Sequence, residues 1–375
     1  MRFFSLNTGH SRIFGLDLLR AVAILFVVIG HSSILAPEHI KPIIRLITLD
    51  GVAIFFVLSG FLIGGILIRQ IEKSPPSIKG LLTFWSRRWL RTLPVYFFLL
   101  TFVIIYTFLL KPQRVPEEWY RYYLFIQNFN YPLPTFFGES WSLSIEEWFY
   151  LIVPVLLFVS VKLIKAPLKT IIGSVSLLVI FLVVSYRLYL FKTLELSTFT
   201  EINLHILRQV ITRLDAIMFG VLAAYVSHYH PKIWNKGNWM LFVGGFAVLY
   251  ALKYYNDSNM SEYSVVYLPV IKSIIVVGML PFLSRWKTAK ITSISKVITF
   301  ISLISYSMYL TNRTIVIDIL IKFGLHNNLL NKHQITYAWQ IDYFFYWAFT
   351  IVLSYFLYIS IETPFMQLRN RKIKE

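Results

Sequence analysis

Three ionisable side chains lie in one apolar stretch near the N-terminus, and their spacing could support proton transfer. Arg20 follows Asp17 by three positions, and His31 follows Arg20 by eleven. In an α-helix eleven residues come within about 20° of three complete turns, so all three side chains fall on one face. Arg20 and His31 are then about 16 Å apart along the helix axis, and Asp17 can form an ion pair with Arg20.

His31 is the member of this set best suited to act as a base, because an imidazole changes its protonation state near neutral pH. A charge at the centre of a bilayer costs roughly 2.5–3.5 kcal/mol on insertion scales. A polar stripe along almost a whole apolar helix therefore favours function over the alternative, a packing ion pair beside one structural histidine. No serine-hydrolase, zinc-protease, phosphate-loop or dinucleotide-binding motif competes with it.

A second cluster of candidate functional residues is basic. Arg87, Arg88 and Arg91 lie in a stretch, Phe84 to Pro94, that we expect to be a loop just before a membrane span. Arg87 and Arg91 are one helical turn apart and can face the same way. Guanidinium groups match phosphate oxygens, so the cluster could hold a phosphate-bearing acyl donor. The alternative is an ordinary basic flank that binds anionic lipid headgroups.

Two adjacent carboxylates, Glu146 and Glu147, begin another apolar stretch. Neighbouring helical residues point about 100° apart, so at most one of them can face a given partner. We expect one to pair with an arginine and the other to act on substrate; a structural role for either is the alternative. Arg213 and Asp215 have a poor spacing for a helical ion pair, so each is expected to find its partner on another helix.

The elements that hold these residues must be membrane helices. Hydrophobic residues make up 57% of the 375 residues and charged residues 14%, against about 45–50% and about 25% in soluble domains. The apolar residues fall in blocks of about 20, the length of a membrane span. This pattern excludes a soluble enzyme, a disordered chain and a single-pass anchor. The absence of cysteine excludes disulfides, thiolate metal sites and a cysteine nucleophile, and the scattered histidines predict no metal.

The pattern predicts an all-α bundle of ten spans in the membrane lipid bilayer. The predicted spans are Leu16–Leu35, Gly51–Ile68, Leu93–Leu110, Trp141–Val161, Thr170–Phe191, Ile206–Val226, Trp239–Tyr254, Val265–Leu283, Val297–Leu320 and Trp339–Ile361. With both termini in the cytoplasm, 21 basic residues fall in inside segments and 8 in outside loops. This asymmetry fixes the expected orientation. It also accounts for the net charge of +18 without nucleic-acid binding.

We expect one transmembrane domain over residues 1–375. The longest outside loop, from Lys111 to Ser140, is rich in aromatic residues and proline and is expected to lie against the membrane. The chain ends at Glu375 with a short basic tail, so no appended extracytoplasmic domain is expected.

The chain resembles the bacterial integral-membrane acyltransferase-3 family over nearly its whole length, because it contains the motifs of that family in the same order. The resemblance rests on Arg20 and His31, preceded by Leu16-Asp17; on Phe55-Phe-Val-Leu-Ser-Gly-Phe-Leu-Ile63; on Arg87-Arg-Trp-Leu-Arg-Thr-Leu-Pro94; on Trp141-Ser-Leu-Ser-Ile-Glu-Glu-Trp-Phe-Tyr150; and on Arg213-x-Asp215, Ser305-Tyr-Ser-Met-Tyr-Leu310 and Glu362-x-Pro364. Members often have a histidine after the Ser-Tyr-Ser run, where this chain has Thr311, Asn312 and Arg313.

The resemblance implies transfer of an acyl group, usually acetyl from acetyl-CoA, to hydroxyls of a cell-surface or lipid-linked glycan in the bacterial cytoplasmic membrane. Lipopolysaccharide O-antigen and exopolysaccharide are expected acceptors, and peptidoglycan, a modified oligosaccharide signal and a small metabolite remain open. On this hypothesis His31 is the general base or transiently accepts the acyl group, Arg20 orients the donor or stabilises the oxyanion, and Asp17 positions Arg20. The basic cluster of Arg87, Arg88 and Arg91 holds the CoA phosphates. Glu146 or Glu147 engages the acceptor or tunes a neighbouring charge.

Two other classes of protein remain open from the sequence. A non-enzymatic transporter or flippase of a glycan or acyl carrier would also have ten spans and intramembrane charges. A transporter or flippase function does not, however, explain the spacing of Arg20 and His31 together with the basic cluster. A glycan polymerase or ligase would need a longer outside catalytic loop than the one that follows Lys111.

Overall fold

The computed structural model describes residues 12–133, 135–256, 260–288, 292–330 and 339–371, and every regular element in them is helical. The α-helices, in chain order, are α1 (Phe14–Ser32), α2 (Lys41–Ile47), α3 (Gly51–Lys73), α4 (Ile78–Leu110), α5 (Tyr120–Tyr123), α6 (Ser140–Leu163), α7 (Leu168–Thr193), α8 (Phe199–Ile202), α9 (Leu214–Tyr229), α10 (Pro231–Trp234), α11 (Trp239–Asn256), α12 (Leu268–Arg285), α13 (Ser293–Thr311), α14 (Trp339–Leu357) and α15 (Thr363–Arg371). The 3₁₀ and π-helical segments are Pro112–Arg114, Asn203–Leu207, Tyr263–Tyr267, Asn312–Leu330 and Tyr358–Glu362.

Eight helical stretches are long and apolar enough to cross a membrane, and two shorter apolar helices accompany them. The eight are Phe14–Ser32, Lys41–Lys73, Ile78–Leu110, Ser140–Leu163, Leu168–Thr193, Tyr263–Arg285, Ser293–Leu325 and Trp339–Leu368, and the two shorter ones are Leu214–Tyr229 and Trp239–Tyr254. These ten stretches correspond in order to the ten predicted spans. The prediction of an all-α, polytopic membrane bundle is confirmed.

The basic cluster does not lie in a loop, as the sequence predicted, but within α4. Ser77 caps this helix, since its Oγ accepts a hydrogen bond from the backbone N–H of Gly80 at 3.1 Å. The helix then continues through Pro94 without a break. The arginines of the cluster therefore have fixed positions around a helix that runs on into the membrane.

The predicted sixth span begins later than expected, because α9 starts at Leu214 rather than near residue 206. The preceding turn pairs with the outside loop instead of forming helix. Asn128 Nδ2 donates to the carbonyl oxygen of Arg208 at 2.7 Å, and the N–H of Val210 donates to the carbonyl of Asn128 at 2.9 Å. Arg208 and Arg213 consequently lie in the turn before α9, not inside a helix.

The outside loop is also more deeply packed than its composition suggested. Tyr122 and Phe137 are buried, and Tyr96 of α4 stacks on Phe125 with ring centroids 4.8 Å apart. Trp119 remains exposed, in agreement with contact to the membrane. The loop therefore covers one end of the bundle as well as lying at its surface.

Helices α3 and α9 approach each other closely through small residues. A Cβ added to Gly60 would overlap the backbone carbonyl of Ile217, and one added to Gly220 would overlap that of Val57. Small residues at such contacts allow membrane helices to pack backbone to backbone. The glycines of the second span thus serve helix packing.

A buried ion pair joins α7 to α9. Arg187 Nη2 lies 2.6 Å from Asp215 Oδ2, with both side chains fully buried, and Nη1 donates to the carbonyl of Thr212 at 3.0 Å. The prediction that Asp215 has its partner on another helix is confirmed. Arg213 has no ion pair within 4 Å among the described residues, so for Arg213 the same expectation stays a prediction.

Candidate active site

Asp17 is the centre of a polar seam between α1 and α13. Its carboxylate accepts hydrogen bonds from Arg12 at 2.7 and 2.6 Å and from Ser302 Oγ at 2.9 Å. Arg20 Nη1 lies 3.2 Å from the same carboxylate and 3.3 Å from Ser302 Oγ. The predicted pair of Asp17 and Arg20 is present, but Arg12 binds Asp17 more closely. Charge-assisted contacts of this kind fix the position of the Arg20 guanidinium.

Arg20 opens onto a cavity of about 140 Å³, which we call the Arg20 cavity. Its polar lining consists of Arg20, Ser59, Arg88, Arg91, Thr92, Ser142, Glu146, Tyr150, Ser305, Tyr306 and Tyr309. Helices α1, α3, α4, α6 and α13 each contribute to this lining. Three cations and one carboxylate thus surround a space ringed by hydroxyl groups, a combination suited to an anionic ligand.

The arginines of α4 divide into two groups. Arg88, Arg91 and Thr92 line the Arg20 cavity, as expected for helical residues three and four positions apart. Arg87 lies on α4 but is not among the lining residues. The pair that shares the cavity is therefore Arg88 and Arg91, rather than the predicted pair of Arg87 and Arg91.

The two adjacent glutamates point in different directions, as their helical spacing predicts. Glu146 lines the Arg20 cavity, and the hydroxyl of Tyr150 donates to its Oε2 at 3.3 Å. Glu147 is buried against α4, where Thr92 Oγ1 donates to its Oε1 at 2.8 Å. Only Glu146 is therefore placed to meet a ligand alongside Arg20.

His31 faces the chain that follows α13. Its Nδ1 lies 2.6 Å from Asn312 Oδ1. The amide of Asn312 is fixed by its Nδ2 group, which donates to the carbonyls of Met308 at 2.7 Å and Tyr309 at 2.9 Å. Because Oδ1 can only accept, His31 must carry its proton on Nδ1. In the neutral imidazole Nε2 is then the nitrogen that can accept a proton.

His31 lies in a separate cavity of about 360 Å³, which we call the His31 cavity. Its ionisable lining consists of His31, Asp50, Glu139, Arg208, Arg213, Lys272 and Arg313. Arg208 lies over the ring of Trp141 at 5.6 Å from the centroid. Neither Glu146 nor Glu147 belongs to this lining; its carboxylates come from the start of α3 and the start of α6.

Val52 and Tyr309 line both cavities and therefore stand between them. The Tyr309 hydroxyl accepts from Ser142 Oγ at 2.6 Å and donates to the carbonyl of Glu139 at 3.0 Å. Arg20 and His31, eleven residues apart on α1, thus lie in neighbouring cavities that share these two side chains, which we call the partition. This arrangement would allow ligands in the two cavities to approach each other at the partition.

Several residues of the site were not predicted from the sequence. Arg12 belongs to the charged flank of the first span. Asn312 lies just after the Ser-Tyr-Ser run, where members of the family that the sequence resembles often have a histidine. Tyr309 lies inside the motif Ser305–Leu310 and Glu139 lies two residues before the motif that begins at Trp141, but no spacing rule marks either of them. Their roles depend on contacts between helices that are distant in sequence.

The fold and the cavities define an integral membrane protein whose polar chemistry lies inside a helical bundle. The chain belongs to the acyltransferase-3 family, described as an acyltransferase domain, which it matches over residues 13–359. This confirms the resemblance inferred from the motifs.

Curated relatives carry names in agreement with this family. The peptidoglycan O-acetyltransferase OatA of Listeria monocytogenes is 28% identical over 65% of this chain and 44% of its own length. A putative O-acetyltransferase of Staphylococcus aureus strain COL is 28% identical over 94% of this chain and 57% of its own length. This chain spans about half the length of these relatives. No solved structure matches it.

Proposed function

We propose that the chain is a membrane O-acyltransferase that moves an acetyl group from acetyl-CoA to a hydroxyl of a cell-surface glycan. The observation that carries the proposal is the pair of polar cavities that meet at Val52 and Tyr309, one containing Arg20 and the other His31. The family and the names of the relatives support O-acetyl transfer. The name of the Listeria relative gives peptidoglycan as its acceptor, and the names of the two relatives described above do not mention lipopolysaccharide.

The Arg20 cavity is the proposed donor site. Arg88 and Arg91 hold phosphates of acetyl-CoA, because guanidinium groups bind phosphate oxygens through paired donors. Arg20, oriented by Asp17, stabilises the negative charge that develops on the thioester oxygen. In the orientation predicted from the basic segments, this cavity lies toward the cytoplasm, where acetyl-CoA is made.

The His31 cavity is the proposed acceptor site. His31 Nε2 takes the proton of the acceptor hydroxyl as its oxygen attacks the thioester carbonyl. The carbon–sulfur bond then breaks, and the CoA thiolate leaves and receives that proton from the imidazolium. Positioned proton transfer of this kind contributes about 10²–10⁴-fold to the rate. Transient acylation of His31 itself is the alternative course of the same reaction.

The test compares cells that express the wild-type chain, no chain, or His31→Ala, with His39→Ala as the matched control. His39 is exposed and lines neither cavity. Alkali-labile acetyl signals in the NMR spectrum of purified surface glycan are the readout, and membrane levels of each variant are measured by immunoblot. We expect the signals only with the wild-type chain and His39→Ala. Full acetylation by His31→Ala would refute the mechanism, and identical spectra in all cells would favour a transporter instead.

A further inference from the structure

The His31 cavity contains more positive charge than a neutral sugar requires. Its lining includes four cations, Arg208, Arg213, Lys272 and Arg313, and two carboxylates. The cations come from three parts of the chain: the turn before α9, α12 and the residue pair that follows α13. Their convergence on one space is therefore a property of the folded bundle and not of one basic segment.

None of the four cations has an ionic partner within the described part of the chain. No carboxylate oxygen of a described residue lies within 4 Å of their charged nitrogens. No side-chain hydrogen bond to a described residue is formed by Arg213, although it is only 5% exposed and its Nε is buried. A buried cation without a partner is destabilising, because its lost hydration is not replaced.

Both carboxylates of the cavity are already engaged elsewhere. Asp50 caps α3 by accepting from the backbone N–H of Ala53 at 3.0 Å. Glu139 accepts from the N–H and the Oγ1 of Thr314 at 3.1 and 2.7 Å. Since four cations face only two carboxylates, positive charge in the cavity is left for a ligand to neutralise.

We propose that the acceptor carries an anionic group, a carboxylate or a phosphate ester, which Arg208, Arg213, Lys272 and Arg313 bind while His31 acts on a nearby hydroxyl. This inference rests on the proposed function, since it assigns the His31 cavity to the acceptor. The anionic group fixes the position of the glycan, so that one hydroxyl among many is presented to His31. An acceptor without such a group leaves the cations unpaired and binds more weakly.

The experiment measures incorporation of radiolabelled acetyl from acetyl-CoA into endogenous glycan in membrane vesicles from expressing cells. Methyl glucuronide and methyl phosphate are added as competing anions, with methyl glucoside as the neutral probe. Variants are Arg213→Gln and Arg313→Gln, and Lys192→Gln is the matched control, because Lys192 is exposed and lines neither cavity. Arg313 is only half-buried, so its variant remains informative if Arg213→Gln fails to fold.

We expect the anionic probes to inhibit at concentrations at least about tenfold lower than methyl glucoside, since contacts to charged groups are the stronger ones. Arg213→Gln and Arg313→Gln should each lose most of this preference, and Lys192→Gln should keep it. Equal inhibition by all three probes would overturn the proposal. So would inhibition that is relieved by more acetyl-CoA, because the cations would then bind the donor. Absence of incorporation by the wild-type chain would instead refute the proposed acyl transfer itself.

Discussion

The Nδ1 atom of His31 lies 2.6 Å from the Oδ1 atom of Asn312, an oxygen that can only accept a hydrogen bond. This single contact assigns the proton of the neutral imidazole to Nδ1 and the lone pair to Nε2. It also joins the end of α1 to the segment after α13, which supplies Arg313 to the His31 cavity. The tautomer of the proposed base is therefore set by a residue outside its own helix.

Replacing Asn312 should impair proton transfer without removing the base. We expect Asn312→Ala to lower kcat by up to about 100-fold, less than the loss in His31→Ala, because the wrong tautomer becomes accessible. The measurement is acetyl transfer by purified protein in nanodiscs, with kcat and KM determined separately. Asn238→Ala is the control, since Asn238 accepts from the backbone N–H of Leu241 at the start of α11 and lines neither cavity. A change confined to the KM for acetyl-CoA would contradict the assignment.

Substitutions of the three α4 arginines should differ in their effect on acetyl-CoA binding, according to the position of each arginine around the helix. We expect Arg88→Gln and Arg91→Gln each to raise the KM for acetyl-CoA about tenfold, because each removes a charge from the Arg20 cavity. Arg87→Gln, on the same helix but outside the lining, should have a clearly smaller effect. Initial rates over a range of acetyl-CoA concentrations provide the test. An equal rise in all three variants would indicate a general electrostatic role of the cluster.

The adjacent glutamates provide a second matched pair. Glu146→Gln should lower kcat/KM at least about tenfold, because it removes a charge that faces Arg20 and Arg91 in the cavity. Glu147→Gln retains an oxygen that can accept from Thr92 and should stay within about threefold of the wild type. Transfer rates of the two purified variants decide the matter. A larger loss in Glu147→Gln would place the functional carboxylate on the other face of α6.

Breaking the ion pair of Arg187 and Asp215 should strongly destabilise the folded protein. Removal of one partner leaves a fully buried charge, so Arg187→Met or Asp215→Leu should each destabilise by about 3–5 kcal/mol. The double replacement Arg187→Met with Asp215→Leu should recover much of that loss. The measurement is the unfolding of the protein in detergent, induced by heat or by denaturant. Lys322→Ala, which breaks the exposed pair with Asp318, should change stability by less than about 1 kcal/mol.

Close packing of α3 on α9 gives a final prediction. Gly60→Ala should lower the unfolding temperature and the yield of folded protein, because the new methyl group meets the backbone of Ile217. Gly244→Ala is the control: apart from its chain neighbours and the nearby backbone of its own helix, no heavy atom of a described residue lies within 4 Å of the added Cβ, and alanine is favoured over glycine in a helix by about 1 kcal/mol. Comparable melting of the two variants would mean that α3 and α9 can separate at little cost.

The sequence could predict features that depend on local pattern. Hydropathy defined ten helical stretches, and helical geometry placed Asp17, Arg20 and His31 on one face, where they meet Ser302 and Asn312. The same geometry predicted that Glu146 and Glu147 diverge. These features follow from the 3.6-residue period, which holds whatever the rest of the fold does.

Features that depend on tertiary contact could not be predicted. The ion pair of Arg187 and Asp215 joins residues on two helices, and no local sequence pattern near either residue identifies the other as its partner. The turn that holds Arg208 and Arg213 is irregular because it pairs with Asn128 in a distant loop. The division of Arg20 and His31 between two cavities depends likewise on Tyr309, which α13 brings between α1 and α6.

The partition formed by Val52 and Tyr309 has a consequence for the energy metabolism of the cell. A protein that handled a cytoplasmic thioester and an external glycan in one open chamber would let protons and small ions leak across the membrane. The two cavities share only these two lining side chains among the described residues. On the proposed function, the bulky reactants would stay on their own sides and only the acetyl group would have to pass, so acetylation of the glycan would not dissipate the proton-motive force.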